Sequence, residues 1–293
     1  MTPSRFLLAT VFLAVSAIPG SAQSVLWGGQ VGQESNTNLY YSINQATGAF
    51  LTTQGATMAG TTITGFQAFT ADPTTGTVYV IVSVSGGRRL ATLNLTTGVA
   101  TSIGVMSDRF STLSFNSAGV LCGVTGNGAT VPETLYIINK TTAAATLVVA
   151  LGNGGGGEVI AFNPVNGLMY HWSGGGVNQV FESINLTTLA VTNIPVVVVN
   201  NNSEVYGAVW NGSAFFVTDA DGIFYTRTTG GVRVVLGNST FRVRGLALVA
   251  PLSPGPAPVS TGIPTLGELG MILLAAMLAM FGAYRLRFRG QAA

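Results

Sequence analysis

Charged residues, cysteine and histidine are all scarce in this chain of 293 residues. Charged side chains make up 8% of it, and Cys122 and His171 are the single members of their residue types. One cysteine excludes a disulfide scaffold within the chain, and this pair alone excludes a zinc site of several Cys and His ligands. The low charge also excludes coiled coils and long acidic or basic tails. We predict neither a cofactor nor a metal site.

A basic surface for nucleic acid or phosphate is likewise missing. Residues 23–250 contain eight Lys/Arg and nine Asp/Glu, which gives a net charge of −1, and the other basic residues lie near the two ends. Domains that bind nucleic acid carry a clear excess of positive charge on one face. The glycine-rich segment 152–158 has no lysine after it, so we interpret it as a loop between strands. We predict no nucleic-acid partner.

The N-terminus is typical of a secretory signal peptide over residues 1–22. Arg5 precedes an apolar run over residues 6–18, which is shorter than an ordinary membrane span, and small residues precede the predicted cleavage after Ala22. The chain is therefore predicted to leave the cytoplasm. Because Cys122 is unpaired and lies in an apolar segment, we predict that it is a core residue.

The C-terminus has the pattern of a membrane anchor. Residues 251–262 hold four Pro and two Gly, a composition that predicts an extended linker. An uncharged apolar run follows over residues 269–284. As a transmembrane helix it spans about 24 Å at about 1.5 Å per residue, which a thinned bilayer and snorkelling side chains accommodate. The run is followed by three basic residues, Arg285, Arg287 and Arg289. They place this end in the cytoplasm and residues 23–250 outside.

A short motif separates the linker from the apolar run. It consists of Ile263, Pro264, Thr265, Leu266 and Glu268. This motif, the short helix and the terminal arginines resemble the IPTL-CTERM sorting signal, a variant of the PEP-CTERM class, and we assign residues 263–293 to it. The resemblance implies processing by an exosortase, a membrane-embedded transpeptidase-like enzyme of Gram-negative bacteria that make extracellular polysaccharide. It also implies an inner-membrane intermediate and a final place at the cell surface or outside the cell. A plain tail anchor is the alternative.

Residues 23–250 contain two phrases that recur with a similar period. In the first, a strand-like segment ends in a polar residue, which we align at Asn44, Asn94, Asn139, Asn185 and Arg227. The second is anchored on an aromatic residue, at Phe69, Phe115, Phe162 and Trp210. Asn, Asp, Pro and Gly between β-branched and aromatic residues predict short antiparallel strands joined by tight turns.

The repeat length predicts the fold. A period in the mid-forties with about four strands per unit is typical of a β-propeller blade. We therefore predict an all-β protein, a β-propeller of about five four-stranded blades over residues 23–250, with six blades if a degenerate unit is hidden. The first repeat lacks its leading phrase and the last, at residues 244–250, has only a beginning. We predict that these N- and C-terminal strands close the ring in one shared blade, which removes free sheet edges.

Candidate catalytic residues are few, and we predict no enzyme. His171 sits between two aromatic residues in a strand with no acid beside it, which favours a structural role. Asp219 and Asp221 resemble the start of a calcium loop, but the later ligands are missing, so a hairpin turn is favoured. Three glycosylation sequons also occur, at Asn94, Asn139 and Asn185. Their equivalent repeat positions are explained by turn chemistry.

Three classes of function are consistent with this sequence. The leading one is a structural or interaction module of the cell envelope or extracellular matrix, with extracellular polysaccharide as a possible partner. The second is a carbohydrate-binding propeller. Its possible ligand face is formed by the three tryptophans, Trp27, Trp172 and Trp210, although aromatic residues pack in cores by default. The third is a secreted lyase or hydrolase, which requires acids, or an acid and a base, to converge in the central channel.

Overall fold

The residues that the structure describes form five β-sheets. A computed structural model of the chain describes residues 23–32, 38–152, 156, 158–196, 203–238, 242–250 and 277–278. The chain divides into two units, Met1–Pro251 and Leu252–Ala293. In the second unit the description is limited to Met277 and Leu278, which are helical and exposed.

Short strands, as the turn chemistry predicts, make up the first unit. In chain order they are β1 (Val25–Gln30), β2 (Leu39–Ile43), β3 (Phe50–Gly55), β4 (Thr57–Met58), β5 (Ile63–Ala71), β6 (Val78–Val84), β7 (Gly87–Leu93), β8 (Val99–Val105), β9 (Phe110–Phe115), β10 (Leu121–Thr125), β11 (Thr134–Ile138), β12 (Ala145–Ala150), β13 (Val159–Asn163), β14 (Leu168–Ser173), β15 (Val180–Ile184), β16 (Val191–Asn193), β17 (Val205–Trp210), β18 (Phe215–Asp219), β19 (Ile223–Arg227), β20 (Arg233–Asn238) and β21 (Val243–Val249). A 3₁₀ turn, Gly176–Asn178, lies between β14 and β15.

Each sheet is one blade of a five-bladed propeller. Blade 1 holds β5 to β8, blade 2 holds β9 to β12, blade 3 holds β13 to β16 and blade 4 holds β17 to β20, each in antiparallel order. Blade 5 combines β21 with β1, β2 and β3. The short β4 adds to the outer edge of blade 1, where it pairs in parallel with β8. The predicted architecture and the preferred count of five blades are therefore confirmed.

The ring is closed around the first strand of each blade. Strand β5 contacts β9, β9 contacts β13, β13 contacts β17, β17 contacts β21, and β21 contacts β5 again. Side chains tie neighbouring inner strands together: the amides of Ile160 and Phe162 donate to the hydroxyls of Thr112 and Ser114 at 2.9 and 3.0 Å. The inner strands therefore surround the central channel and begin at one common end of it.

Closure of the ring joins the two ends of the repeat region, as predicted. Strand β1 pairs with β21 along its whole length, with Val25 opposite Val249 and Gln30 opposite Val243. The C-terminal strand is the inner strand of blade 5, and the N-terminal segment supplies the other three strands. Strand β21 therefore covers the edge of β1 that would otherwise be open to pair with another chain.

The hydrophobic core is divided among the five blade interfaces. Five clusters of buried side chains each join two adjacent blades. Between blades 1 and 2, for example, Ile81 and Leu90 pack with Phe110 and Leu113. Cys122 belongs to the cluster between blades 2 and 3, as predicted. Burial falls from the inside outward, since every residue of β9 is buried whereas the outer strands β3, β12 and β20 are largely exposed.

The first repeated phrase forms the turn after the third strand of each blade. At Asn44, Asn94, Asn139 and Asn185 the side-chain oxygen accepts backbone N–H groups two and three residues later. In blade 4 the alignment on Arg227 is wrong by one residue. Thr228 takes the turn position, where its hydroxyl accepts the amide of Val232 at 3.1 Å, and Arg227 ends β19 with a fully buried side chain.

Several predicted segments lie outside the described residues. They include the signal peptide with Ala22, the linker, the sorting motif, the terminal arginines and most of the apolar run at 269–284. Within the described parts of the chain no helix combines the length and the hydrophobicity that a bilayer crossing requires. These segments remain sequence predictions as far as their structure is concerned.

Candidate functional site

The end of the channel where the inner strands begin carries a polar cavity of about 630 Å³. It is lined from blades 1 and 2 and from the starts of β17 and β21. Three arginines share this lining: Arg88, the second residue of β7; Arg109, in the β8–β9 connection; and Arg244, the second residue of β21. Positive charge from three separate chain segments therefore converges on one cavity.

The arginines interact electrostatically with one another. Arg88 is half-buried, and one of its N–H groups donates to the carbonyl oxygen of Phe110. Burial, followed by the positive charges of Arg244 and Arg109, lowers the pKa of Arg88 to about 10, and Asp108 opposes that shift. Arg88 stays protonated at neutral pH, so the three arginines of the lining outnumber its one acid and leave the cavity positively charged.

Arg244 is fixed in place by three side chains. Its guanidinium donates to the amide oxygen of Gln67 at 2.8 Å and stacks on the ring of Tyr206 with its carbon 4.3 Å from the centroid. Glu204 lies 3.7 Å from the same guanidinium on its more exposed side. Gln67 is itself buried and donates to the hydroxyl of Ser83 at 3.0 Å. This chain of contacts preorganises the guanidinium towards the cavity.

Asp108 is the one acid among the described residues that line the cavity. Its carboxylate accepts hydrogen bonds from the backbone amides of Arg109, Thr130 and Val131 at 2.8, 2.9 and 3.1 Å. Burial acts to raise its pKa, but these bonds and the charge of Arg109 hold that pKa below its usual value. Asp108 therefore pins the β10–β11 loop to the rim, and its oxygens are already committed to backbone donors.

A second polar group is buried inside blade 3. His171 lies on β14 between two carboxylates, with Nε2 2.5 Å from Glu158 Oε2 and Nδ1 2.9 Å from Glu182 Oε1. The hydroxyl of Ser173 donates to the other oxygen of Glu158 at 2.6 Å. All four side chains are fully buried. The prediction that no acid lies beside His171 is therefore wrong.

The two carboxylates favour the protonated form of the imidazole. Burial acts to lower the pKa of His171, but hydrogen bonds and charges from Glu158 and Glu182 outweigh it and raise that pKa above the ordinary value. The acids bind opposite sides of the ring, so they do not converge on one point as metal ligands do. No group of three or more His, Cys, Asp or Glu among the described residues is arranged to hold a metal ion.

The opposite end of the channel is smaller and more apolar. A cavity of about 150 Å³ lies at the ends of the inner strands and is lined by side chains such as Phe115, Phe162, Trp210 and Leu248. The aromatic residues belong to the second repeated phrase of the sequence. Phe115 and Trp210 are the last residues of β9 and β17, which places them at this end of the channel. The lining also includes Ser114 and Asn116, so this end of the channel is less polar than the other but not purely apolar.

The three tryptophans predicted as a possible ligand face lie in different surroundings. Trp172 is fully buried and stacks on Phe181, so its assignment to a ligand face is wrong. Trp27 is half-buried and packs on Tyr40 in the cluster between blades 5 and 1. Trp210 is also half-buried and borders the apolar cavity. Core packing, which large aromatic residues favour, accounts for these positions.

The segment from Asp219 to Gly222 is a hairpin turn, as predicted. It joins β18 to β19, and the Asp219 carboxylate accepts the amides of Asp221 and Ile223 at 3.1 and 2.9 Å. Its other oxygen meets Arg233 at 3.3 Å. Most of the glycine-rich segment 152–158 lies outside the described residues, and Glu158 at its end belongs to the histidine network.

The comparisons with known proteins concern two parts of the chain, the C-terminal sorting motif and the propeller fold. The IPTL-CTERM motif matches residues 261–288. A chain from the crystal structure of a nidogen/laminin complex resembles this one with a TM-score of 0.53 and 10% identity, over 77% of this chain and 98% of that chain. At such low identity the likeness shows the fold alone. No curated protein matches the sequence. The motif implies an exported protein that an exosortase-type membrane enzyme processes.

Proposed function

We propose that this is a cell-envelope or extracellular-matrix protein whose β-propeller acts as an interaction module after its C-terminal tail is processed. The observation that carries the proposal is the sorting motif at residues 261–288, which follows a five-bladed propeller in the sequence. Propellers offer rigid loops around a channel and so present fixed binding surfaces. A binding module that is displayed outside the cell accounts for both the sorting motif and the propeller.

A binding role is favoured over an enzymatic one. The proposed enzyme would need acids or an acid and a base at the channel, but Glu158, His171 and Glu182 are fully buried and hold one another in hydrogen bonds. Such a closed network leaves no ionised group free to meet a substrate. The open polar cavity, by contrast, presents charged and neutral donors at the surface, which supports carbohydrate binding as the second candidate function.

The processing part of the proposal is tested by a matched pair of variants in the native host. In the first, Pro264→Ala and Thr265→Ala alter the sorting motif; in the control, Pro254→Ala and Pro256→Ala alter the linker. We expect the motif variant to accumulate in the inner membrane with its tail attached, and the linker variant to be processed like the wild type. Normal processing of the motif variant contradicts the proposal.

A further inference from the structure

The arginine-lined cavity has the properties of an anion-binding site. Its lining includes Arg88, Arg109 and Arg244. Asp108 is the one acid among the described lining residues, and its carboxylate already accepts hydrogen bonds from three backbone amides. Glu204 offsets part of the Arg244 charge from 3.7 Å. The positive charges of Arg244 and Arg109 act unfavourably on Arg88, and a bound anion relieves that repulsion. The field therefore selects a negatively charged ligand.

The shape of the donors suits a carboxylate, as it also suits a phosphate. Arginine offers pairs of parallel N–H groups that match the two oxygens of a carboxylate. Arg244 is held by Gln67 and Tyr206, and Arg88 is held by the carbonyl of Phe110. Binding to these two positioned donors costs less conformational entropy than ordering free side chains, whereas the exposed Arg109 has to be ordered by the ligand.

The remainder of the lining indicates what carries the carboxylate. Most of the other side chains are neutral hydrogen-bonding groups: Thr64, Gln67, Ser83, Ser107, Thr130 and Tyr206. Hydroxyl and amide groups of this kind pair well with a ligand that bears many hydroxyls. Peptide recognition, in contrast, depends on pockets for apolar or aromatic anchors. A cavity of about 630 Å³ is large enough to hold more than one sugar ring.

We propose that this cavity binds a sugar unit that carries a carboxylate, within an acidic oligosaccharide or polysaccharide. Arg88 and Arg109 contact the carboxylate, Arg244 completes the positive field, and the hydroxyl side chains of the lining bind the sugar hydroxyls. The inference rests on the proposed function, because it names the ligand class of the same interaction module. Neither the net charge of residues 23–250 nor the three tryptophans predicted this binding site.

Titration calorimetry on the purified full-length protein in detergent tests the proposal. The probe is trigalacturonate, and maltotriose serves as its uncharged counterpart. Arg88→Gln and Arg109→Gln each remove one guanidinium. Arg89→Gln is the matched control, because Arg89 neighbours Arg88 on β7 but is not among the residues that line the cavity. Thermal unfolding of each variant shows whether it is folded.

We expect the wild type and Arg89→Gln to bind trigalacturonate equally. We expect Arg88→Gln and Arg109→Gln to bind it at least about tenfold more weakly, because each loses a charge-assisted hydrogen bond. Absence of binding by the wild type, equal binding of maltotriose, or unchanged affinity in folded Arg88→Gln and Arg109→Gln overturns the proposal. Inorganic sulfate that binds as tightly as trigalacturonate also overturns it and leaves a general oxyanion site.

The mature mass of the same variants in the native host separates this proposal from the function on which it rests. A failure of sugar binding with normal tail processing removes the ligand assignment alone. A tail that stays attached in the wild type removes the sorting role, whatever the calorimetry shows.

Discussion

Leu248 of the last strand lies opposite Leu26 of the first, and this pairing joins the two ends of the repeat region in blade 5. Leu246, two residues earlier, is buried with Leu26 and Phe216 between blades 4 and 5. We expect Leu246→Ala to lower the free energy of unfolding by about 2–5 kcal/mol, because it leaves a cavity at the closing strand. Leu51→Ala, on the exposed outer strand β3, is expected to change it by less than about 0.5 kcal/mol. Urea denaturation measures both, and equal effects contradict closure by β21.

The buried histidine makes stability depend on pH in a defined window. Because the folded pKa of His171 is raised above the ordinary value of 6.5, its contribution is complete below about pH 6.5 and is lost as the pH rises through the raised value. His171 is the single histidine, so the NMR signals of its Hε1 and Hδ2 ring protons are assigned without ambiguity. We expect those signals to titrate above pH 6.5 in the folded protein, and a midpoint at or below 6.5 contradicts the charged network.

Removal of the imidazole tests the same network energetically. His171→Gln leaves Glu158 and Glu182 buried without their cation, and we expect a loss of about 3–5 kcal/mol in stability at pH 6. Lys140→Gln is the control and should cost less, because Lys140 is partly exposed and the buried Asp72 keeps its hydrogen bonds from Thr74. Calorimetric melting at pH 6 measures both variants, and a smaller cost for His171→Gln contradicts a charged pairing.

Two glycines in equivalent turn conformations separate backbone strain from packing. Gly48 and Gly167 have φ of +73° and +72°. A Cβ on Gly167 meets nothing within 4 Å, whereas one on Gly48 lies 2.6 Å from Cβ of Phe224 in the next blade. Gly167→Ala is expected to cost about 1–2 kcal/mol from the left-handed conformation alone. Gly48→Ala is expected to cost clearly more in urea denaturation, and equal costs contradict the close packing of blades 4 and 5.

Cys122 provides a direct probe of blade packing. It is buried between blades 2 and 3, and burial raises the pKa of its thiol to about 12. We therefore expect no reaction with a thiol reagent at pH 8 in the folded protein and one equivalent after denaturation in urea. Rapid labelling of the folded protein contradicts a closed interface between these blades.

The fold was predictable because each blade repeats the same turn chemistry. The asparagines after β2, β7, β11 and β15 mark the end of every third strand in four of the five blades. The incomplete first and last repeats indicated closure of the ring. The prediction was wrong by one residue at Arg227, since Thr228 begins the turn there and its hydroxyl accepts the amide four residues later.

The polar groups were less predictable because their partners are distant in sequence. Glu182 lies directly opposite His171 on the next strand, so the register of the β14–β15 hairpin was a signal that would have found it. The arginine cavity has no such local signal. Arg88, Arg109 and Arg244 are neighbours only because the ring brings blade 5 beside blade 1, and a net charge averaged over the sequence conceals their convergence.

The intact mass of the mature protein, measured from separated cell fractions of its native host, tests the central claim most directly. We predict a surface or extracellular form whose mass fits a chain that begins at residue 23 and ends near the sorting motif, with or without an added group. A mass that fits residues 23–293, found in the inner membrane, contradicts processing and leaves a propeller held by a plain membrane anchor.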